Sequence, residues 1–165
     1  MQGRTVKKKR VRFAEGDVFL VPLTQGGFAV GLIVRCDLRG HGVLAYIFNS
    51  TVDEAGELDI DHVVSKEMVV DVVDVAMRSL VSGAWPIVGR LPNWSRSDWP
   101  VPVFRYQIGQ LSFRSQDDYR QEIFSNLIPK NEEIFRYVVY GDSALSFRLS
   151  RKFSEDERDR NWKVR

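Results

Sequence analysis

The sequence predicts an α+β fold, mainly β, with an SH3-like small barrel or meander in the N-terminal half and one or two helices toward the C-terminus. Three observations carry this expectation. Short apolar runs separated by glycine-containing turns fill residues 16–50. A stretch over 82–106 holds four of the six prolines and three of the four tryptophans, which excludes a helix there. Two later segments, 115–130 and 142–153, place apolar residues at helical spacing.

The first strand is "GDVFLVPL", entered through a Gly-Asp turn. Phe19, Val21 and Leu23 share one face and Val18, Leu20 and Pro22 the other, so the strand is apolar on both sides. Pro22 cannot donate to a ladder and places its end at an edge or bulge. "TQGG" supplies a turn, and "FAVGLIVR" alternates with Phe28, Val30, Leu32 and Val34 on one face. Gly31, on the opposite face, marks a bulge or a close approach. "CDLRGHG" is a second loop and "VLAYIFNS" a third strand, which completes a meander of the kind that begins small SH3-like barrels.

An acidic segment, "DEAGELDID", follows as a surface loop. The next run, "MVVDVVDVAM", fits either a strand or a helix with Val69, Val72, Val73 and Ala76 on one face; its β-branched content selects a strand. Residues 82–106 read as a structured loop with short extended pieces. "SQDDYRQEIFSNLIPK" reads as a helix: Ser115 and Asp118 resemble a capping box, Tyr119, Ile123 and Leu127 repeat at i, i+4, i+8, and Pro129 supplies the stop. "IFRYVVY" is β-rich up to Gly141. In "SALSFRLSRKF", Leu145, Leu149 and Phe153 have helical spacing but Phe147 falls off that face, so helix and strand both stay open. The division expected is a basic lead-in over 1–11, one domain over 12–153 and a charged tail over 154–165.

Composition bounds the functional classes. The chain has 165 residues, 44% hydrophobic and 28% charged, as in ordinary globular proteins. No apolar run approaches the length of a bilayer span, no secretory signal pattern is visible, and Cys36 is the only cysteine, so a cytoplasmic location is the expectation. The formal net charge of +2 conceals two segregated segments. Arg4, Lys7, Lys8, Lys9, Arg10 and Arg12 form a basic run, and Asp53, Glu54, Glu57, Asp59 and Asp61 an acidic one.

Chemistry-bearing patterns are sparse. His41, His62 and Cys36 do not form a zinc-ligand pattern, and Asp59 and Asp61 lack the glycine and terminal glutamate of a calcium loop. There is no G-x-S-x-G elbow, and "TQGG" and "RGHG" are not phosphate-binding fingerprints. Arg35 and Arg39 flank Cys36, but a free cysteine behaving as a small apolar residue is the favoured reading. No metal, cofactor or catalytic residue is therefore expected. The basic run with Phe13, Phe28, Tyr46 and Phe48 would suit a nucleic-acid-binding barrel, but those aromatics lie in strongly apolar strands. Among the tryptophans, Trp85 beside "PIVG" reads as core. Trp94 and Trp99, flanking Arg96 and Asp98, read equally as barrel plugs or as anchors of a binding surface.

In order along the chain, "KRVRFAEGDVFLVPLTQGGFAVGLIVR", "SGAWPIVGRLP", "WPVPVFRY" and "VVYGDSALSFRL" resemble the immunity protein 26 family of bacterial polymorphic toxin systems. The resemblance implies a small cytoplasmic protein that binds and neutralises a cognate toxin domain stoichiometrically, without catalysis. It brings no catalytic residues and no mapped contacts. The contact candidates are therefore those of the residue reading: Asp53, Glu54, Glu57, Asp59 and Asp61 in the acidic segment, and Trp94, Arg96, Asp98 and Trp99 in the tryptophan segment.

Overall fold

A computed structural model describes residues 10–36, 42–56, 58–107, 110–114, 122–125, 134–136 and 138–154. The N-terminal meander is as the alternation requires. Strands β1 (Asp17–Pro22), β2 (Phe28–Cys36) and β3 (Val43–Val52) are antiparallel neighbours, and β4 (Val69–Val75) adds to β3, so the strand reading of that ambiguous run holds. Between β3 and β4 lie a single helical turn, α1 (Ile60–Val63), and a 3-10 turn, Lys66–Met68. Helix α2 (Arg78–Ser82) and edge strand β5 (Ile87–Arg90) follow. Strands β6 (Val103–Gln107), β7 (Gln110–Arg114), β8 (Glu122–Ser125) and β9 (Ile134–Arg136) build a second sheet, β10 (Val139–Tyr140) returns to the first, and α3 (Asp142–Phe153) ends the described chain.

The first sheet runs β10-β4-β3-β2-β1-β5 and the second β8-β7-β6-β9. The chain is thus α+β and mainly β, but the meander does not close into a barrel: among the described residues it is the centre of an open six-stranded sheet. The physical reason is two-sided burial. A small closed barrel needs only its inward residues to be apolar, whereas β1 to β3 are apolar on both faces and each face requires a cover. On one face Val18, Leu20, Val30, Leu32, Val34, Leu44, Tyr46, Phe48 and Val72 meet α1, Trp99, Val101 and, from the second sheet, Phe104 and Phe135. On the other, Phe19, Val21, Ala29, Ile33, Ala45, Ile47 and Val73 meet Leu80 of α2, Trp85, and Leu145 and Leu149 of α3.

Local details follow the same logic. Pro22 pairs only with β2, because β5 reaches no further along β1 than Phe19. Gly31 is directly opposite Phe19, a bulge follows Ala29, and a Cβ at Gly31 would collide with the Phe19 ring. That ring in turn stacks on Trp85 (centroids 5.8 Å apart, planes 12° apart), so the glycine makes room for an aromatic stack at the centre of the core. Val11 donates its N–H to the Val81 carbonyl (3.0 Å), which seats the approach to β1 against α2.

Residues 142–153 are helical, with Leu145 and Leu149 fully buried and Phe147, the residue that did not fit the face, 59% exposed. Polar contacts fix this helix at two ends of the sheet. The Ser150 hydroxyl accepts from the Thr24 amide at the β1–β2 turn, while Arg148 donates twice to Asp71 of β4 (3.0 and 2.8 Å) and stacks over Tyr140. Lys152 donates to the Val70 carbonyl. The helix expected over 115–130 is corrected where the chain is described: 122–125 form β8, antiparallel to β7, and the remainder of that segment lies outside the described residues. Pairing to a neighbouring strand satisfies the backbone of 122–125, and tertiary context overrides the helical spacing of its apolar residues.

Two stability tests follow. Gly31→Ala forces the Phe19 ring aside and should cost about 1–3 kcal/mol by urea unfolding, with a smaller cost in a Phe19→Leu background. Asp71 is buried, and loss of hydration pushes its carboxyl up from the ordinary value against the opposing pull of Arg148 and Lys152. With a raised value the native state binds more protons than the unfolded one, so this group's contribution declines as pH rises through the carboxylate range. Arg148→Ala removes the main opposing charge. It should destabilise by about 3–5 kcal/mol at neutral pH, with a deficit that grows as pH rises above the ordinary carboxylate range.

Candidate functional site

The tryptophan segment covers the end of the meander where β1 begins and β2 ends. Here the chain cannot form its own ladder, because prolines interrupt it, and side chains take over the anchoring. Trp94 lies on Gly16, whose φ of +90° and missing Cβ admit the indole; a Cβ there would come within 2.7 Å of it. Trp99 stands edge-on to Tyr46 and Phe48 (5.4 and 5.8 Å between centroids), and the Tyr46 hydroxyl donates to the Pro100 carbonyl at 2.5 Å. Between these anchors, Arg96–Asp98 make one 3-10 turn. Arg96 is bound through Nε and Nη2 to the two Glu15 carboxylate oxygens, both at 2.6 Å. Arg35, itself almost wholly buried, donates to the Arg96 carbonyl (3.3 Å).

Trp99 is 5% exposed and packs between Tyr46 and Phe48, the plug of the two readings its sequence context left open. Trp85, 2% exposed, is core as expected. Trp94 is half-buried, and Arg96 and Asp98 are exposed. Glu15 was not legible as a partner of this loop, since "AEGD" signals only a turn and its contact with Arg96 spans 81 positions of sequence.

The acidic segment is divided. Asp59 caps α1 by accepting the His62 amide (3.3 Å), and Asp61 is in the first turn of that helix; both are exposed. Ile60 packs over Gly89, which is opposite Val18, two residues from the Gly16 that carries Trp94. The anchor points of α1 and of the tryptophan segment are therefore neighbours, roughly 10 Å apart on one sheet face. Asp53 and Glu54 are exposed in the loop after β3, beside the β1–β2 turn. They are at the opposite end of β3, roughly 30 Å from the Glu15–Arg96 pair, at ~3.3 Å per strand residue. Glu57 lies outside the described residues. The anchor points of α1, which carries Asp59 and Asp61, and of the segment with Trp94, Arg96 and Asp98 are thus neighbours on the first sheet, whereas Asp53 and Glu54 lie at the far end of β3.

Cys36 is a half-exposed free thiol whose amide donates to Glu15 (3.2 Å). Burial, then the charges of Glu15 and Asp17, push its pKa up to about 12 against the weaker pull of Arg96. That keeps it a thiol at neutral pH and removes the thiolate on which nucleophilic or metal-binding roles depend. Tyr46 and Phe48, considered as stacking platforms for bases, are core residues, and Phe13 and Phe28 pack against the two clusters.

With both faces of the first sheet covered, Asp59 and Asp61 of the α1 turn and Arg96 and Asp98 of the 3-10 turn are left exposed. The chain belongs to the immunity protein 26 family, whose model matches residues 14–116, from the turn before β1 to just past β7. No curated protein and no solved structure matches the chain.

The state of Cys36 is directly measurable. In the native protein its reaction with DTNB at about pH 8 should be roughly a hundredfold or more slower than in denaturing urea.

Proposed function

We propose that this protein is the stoichiometric inhibitor of a cognate toxin domain of a polymorphic toxin system, protecting the producing bacterium from within its cytoplasm. Membership of the immunity protein 26 family is the observation that carries this reading. The arrangement of the surface supports it. Inhibition by binding requires no reactive group in the inhibitor, only a face that fits the toxin and keeps its shape. An inhibitor that is already ordered forfeits less conformational freedom on association and so keeps more of its contact energy as affinity.

The contact face proposed is α1 together with the tryptophan segment: Asp59, Asp61, Trp94 and Asp98, held over the β1–β5 edge. Its exposed carboxylates suit a cationic toxin surface, such as the basic cleft of a nuclease. Charge of opposite sign on the two partners accelerates encounter and discourages wrong partners. Half-buried Trp94 supplies an aromatic anchor beside them. Asp53 and Glu54, at the far end of β3, are too distant to join one compact patch with this face and would matter only for long-range steering.

The first experiment is a pull-down with this protein as bait from lysate of its own strain, at moderate and at high salt, read by mass spectrometry. One stoichiometric partner carrying a toxin domain and surviving high salt is the expected result. Nucleic acid that washes off with salt, and no such partner, would overturn the reading. With the partner in hand, Asp59→Asn plus Asp61→Lys plus Trp94→Ala should weaken binding at least about tenfold, chiefly through slower association at low salt; the asparagine preserves the α1 cap. Unchanged affinity would exclude this face.

A further inference from the structure

We propose that Glu15 is a positioning residue for the partner-binding loop, and that Arg96 shapes that loop through Glu15 rather than contacting the partner itself. The inference rests on the reading of the tryptophan segment as the contact face. Arginine exposed between tryptophans is the residue type expected to touch a partner. Here its guanidinium is already engaged: Nε and Nη2 donate to the two oxygens of one carboxylate, both at 2.6 Å. This fork fixes the orientation of both groups and balances the charge of Arg96.

The carboxylate is itself anchored. Glu15 Oε1 also accepts the Cys36 amide at the end of β2. The adjoining Gly16 donates its N–H to Ile33 and accepts the Leu91 amide, both at 2.8 Å. The clamp therefore ties the 3-10 turn to the end of β2 and to the start of β1. Arg35 holds the same turn from beneath by donating to the Arg96 carbonyl. Trp94 on Gly16 and Trp99 on Tyr46 and Phe48 hold its two sides. With the arginine charge balanced, exposed Asp98, with Asp59 and Asp61 nearby, sets the sign of the face.

The test uses the full chain in two measurements. Hydrogen exchange of amides 95–99 is followed in wild type, Glu15→Gln, Arg96→Lys and the charge exchange Glu15→Arg with Arg96→Glu. Release of the toxin domain captured by pull-down is then timed for the same proteins and for Arg96→Ala, Asp98→Ala and the pair Glu15→Gln with Arg96→Ala. Glu15→Gln should speed exchange at 95–99 about tenfold with little change in melting temperature, and should speed toxin release about tenfold. Arg96→Lys, which keeps the charge but not the fork, should do the same and serves if Glu15→Gln folds poorly. The charge exchange should restore part of both. Arg96→Ala should add little once Glu15 is Gln.

Full additivity of Glu15→Gln and Arg96→Ala would make Arg96 a direct contact and overturn the proposal. If Asp98→Ala weakens binding while Glu15→Gln alters neither exchange nor release, the clamp is overturned and the contact face stands. If exchange responds but no loop variant changes toxin release, the proposal falls together with the contact face.

Discussion

Burial of both faces of one sheet is the constraint on which the rest of this structure depends. Strands β1 to β3 carry apolar side chains alternately up and down, and neither set can be left in water. Two covers are needed, and the chain makes them from different materials. Helices α2 and α3 close one face through Leu80, Leu145 and Leu149. The other is closed by α1, by the proline-interrupted segment around Trp99, and by Phe104 and Phe135 of the second sheet. The aromatic stack of Phe19 on Trp85, laid across Gly31, shows how tightly the first cover is fitted.

The candidate contact surface is a by-product of the second cover. A segment that cannot form a continuous ladder must be held by side chains, so Trp94 and Trp99 are inserted and the turn between them is left outside. The same tryptophans that look like binding anchors in sequence are partly or wholly spent on holding the loop. What they leave exposed is small and polar, and Glu15 and Arg35 hydrogen-bond to it from below.

Two arginine–carboxylate pairs show how burial changes the meaning of one interaction. Arg148 and Asp71 meet beneath α3, where loss of hydration dominates and the carboxyl titrates above its ordinary range. That pair locates the helix, and its worth lies mostly in what breaking it would leave behind. Arg96 and Glu15 meet at the surface, with 44% of the arginine side chain exposed. Solvent screens that pair, so its contribution to global stability is small and its two-point geometry is its main effect.

Much was legible in the sequence because it depends on neighbours along the chain. The period-two alternation of residues 17–35 placed Val18 and Phe19, or Val30 and Ala29, on opposite faces as found. The interruption at Gly31, the β-branched strand at 69–75, the broken texture of 82–106 and the helical spacing of Leu145 and Leu149 are likewise local. The ordered motifs also pointed to the family. Only the tertiary structure decided that the sheet stays open, that 122–125 pair as a strand, that Trp99 turns inward while Trp94 stays at the surface, and that Glu15 holds Arg96. Each of these depends on partners far away in sequence. Periodicity says which side of a strand is apolar, but which layer covers it is settled by competition among all the segments that could.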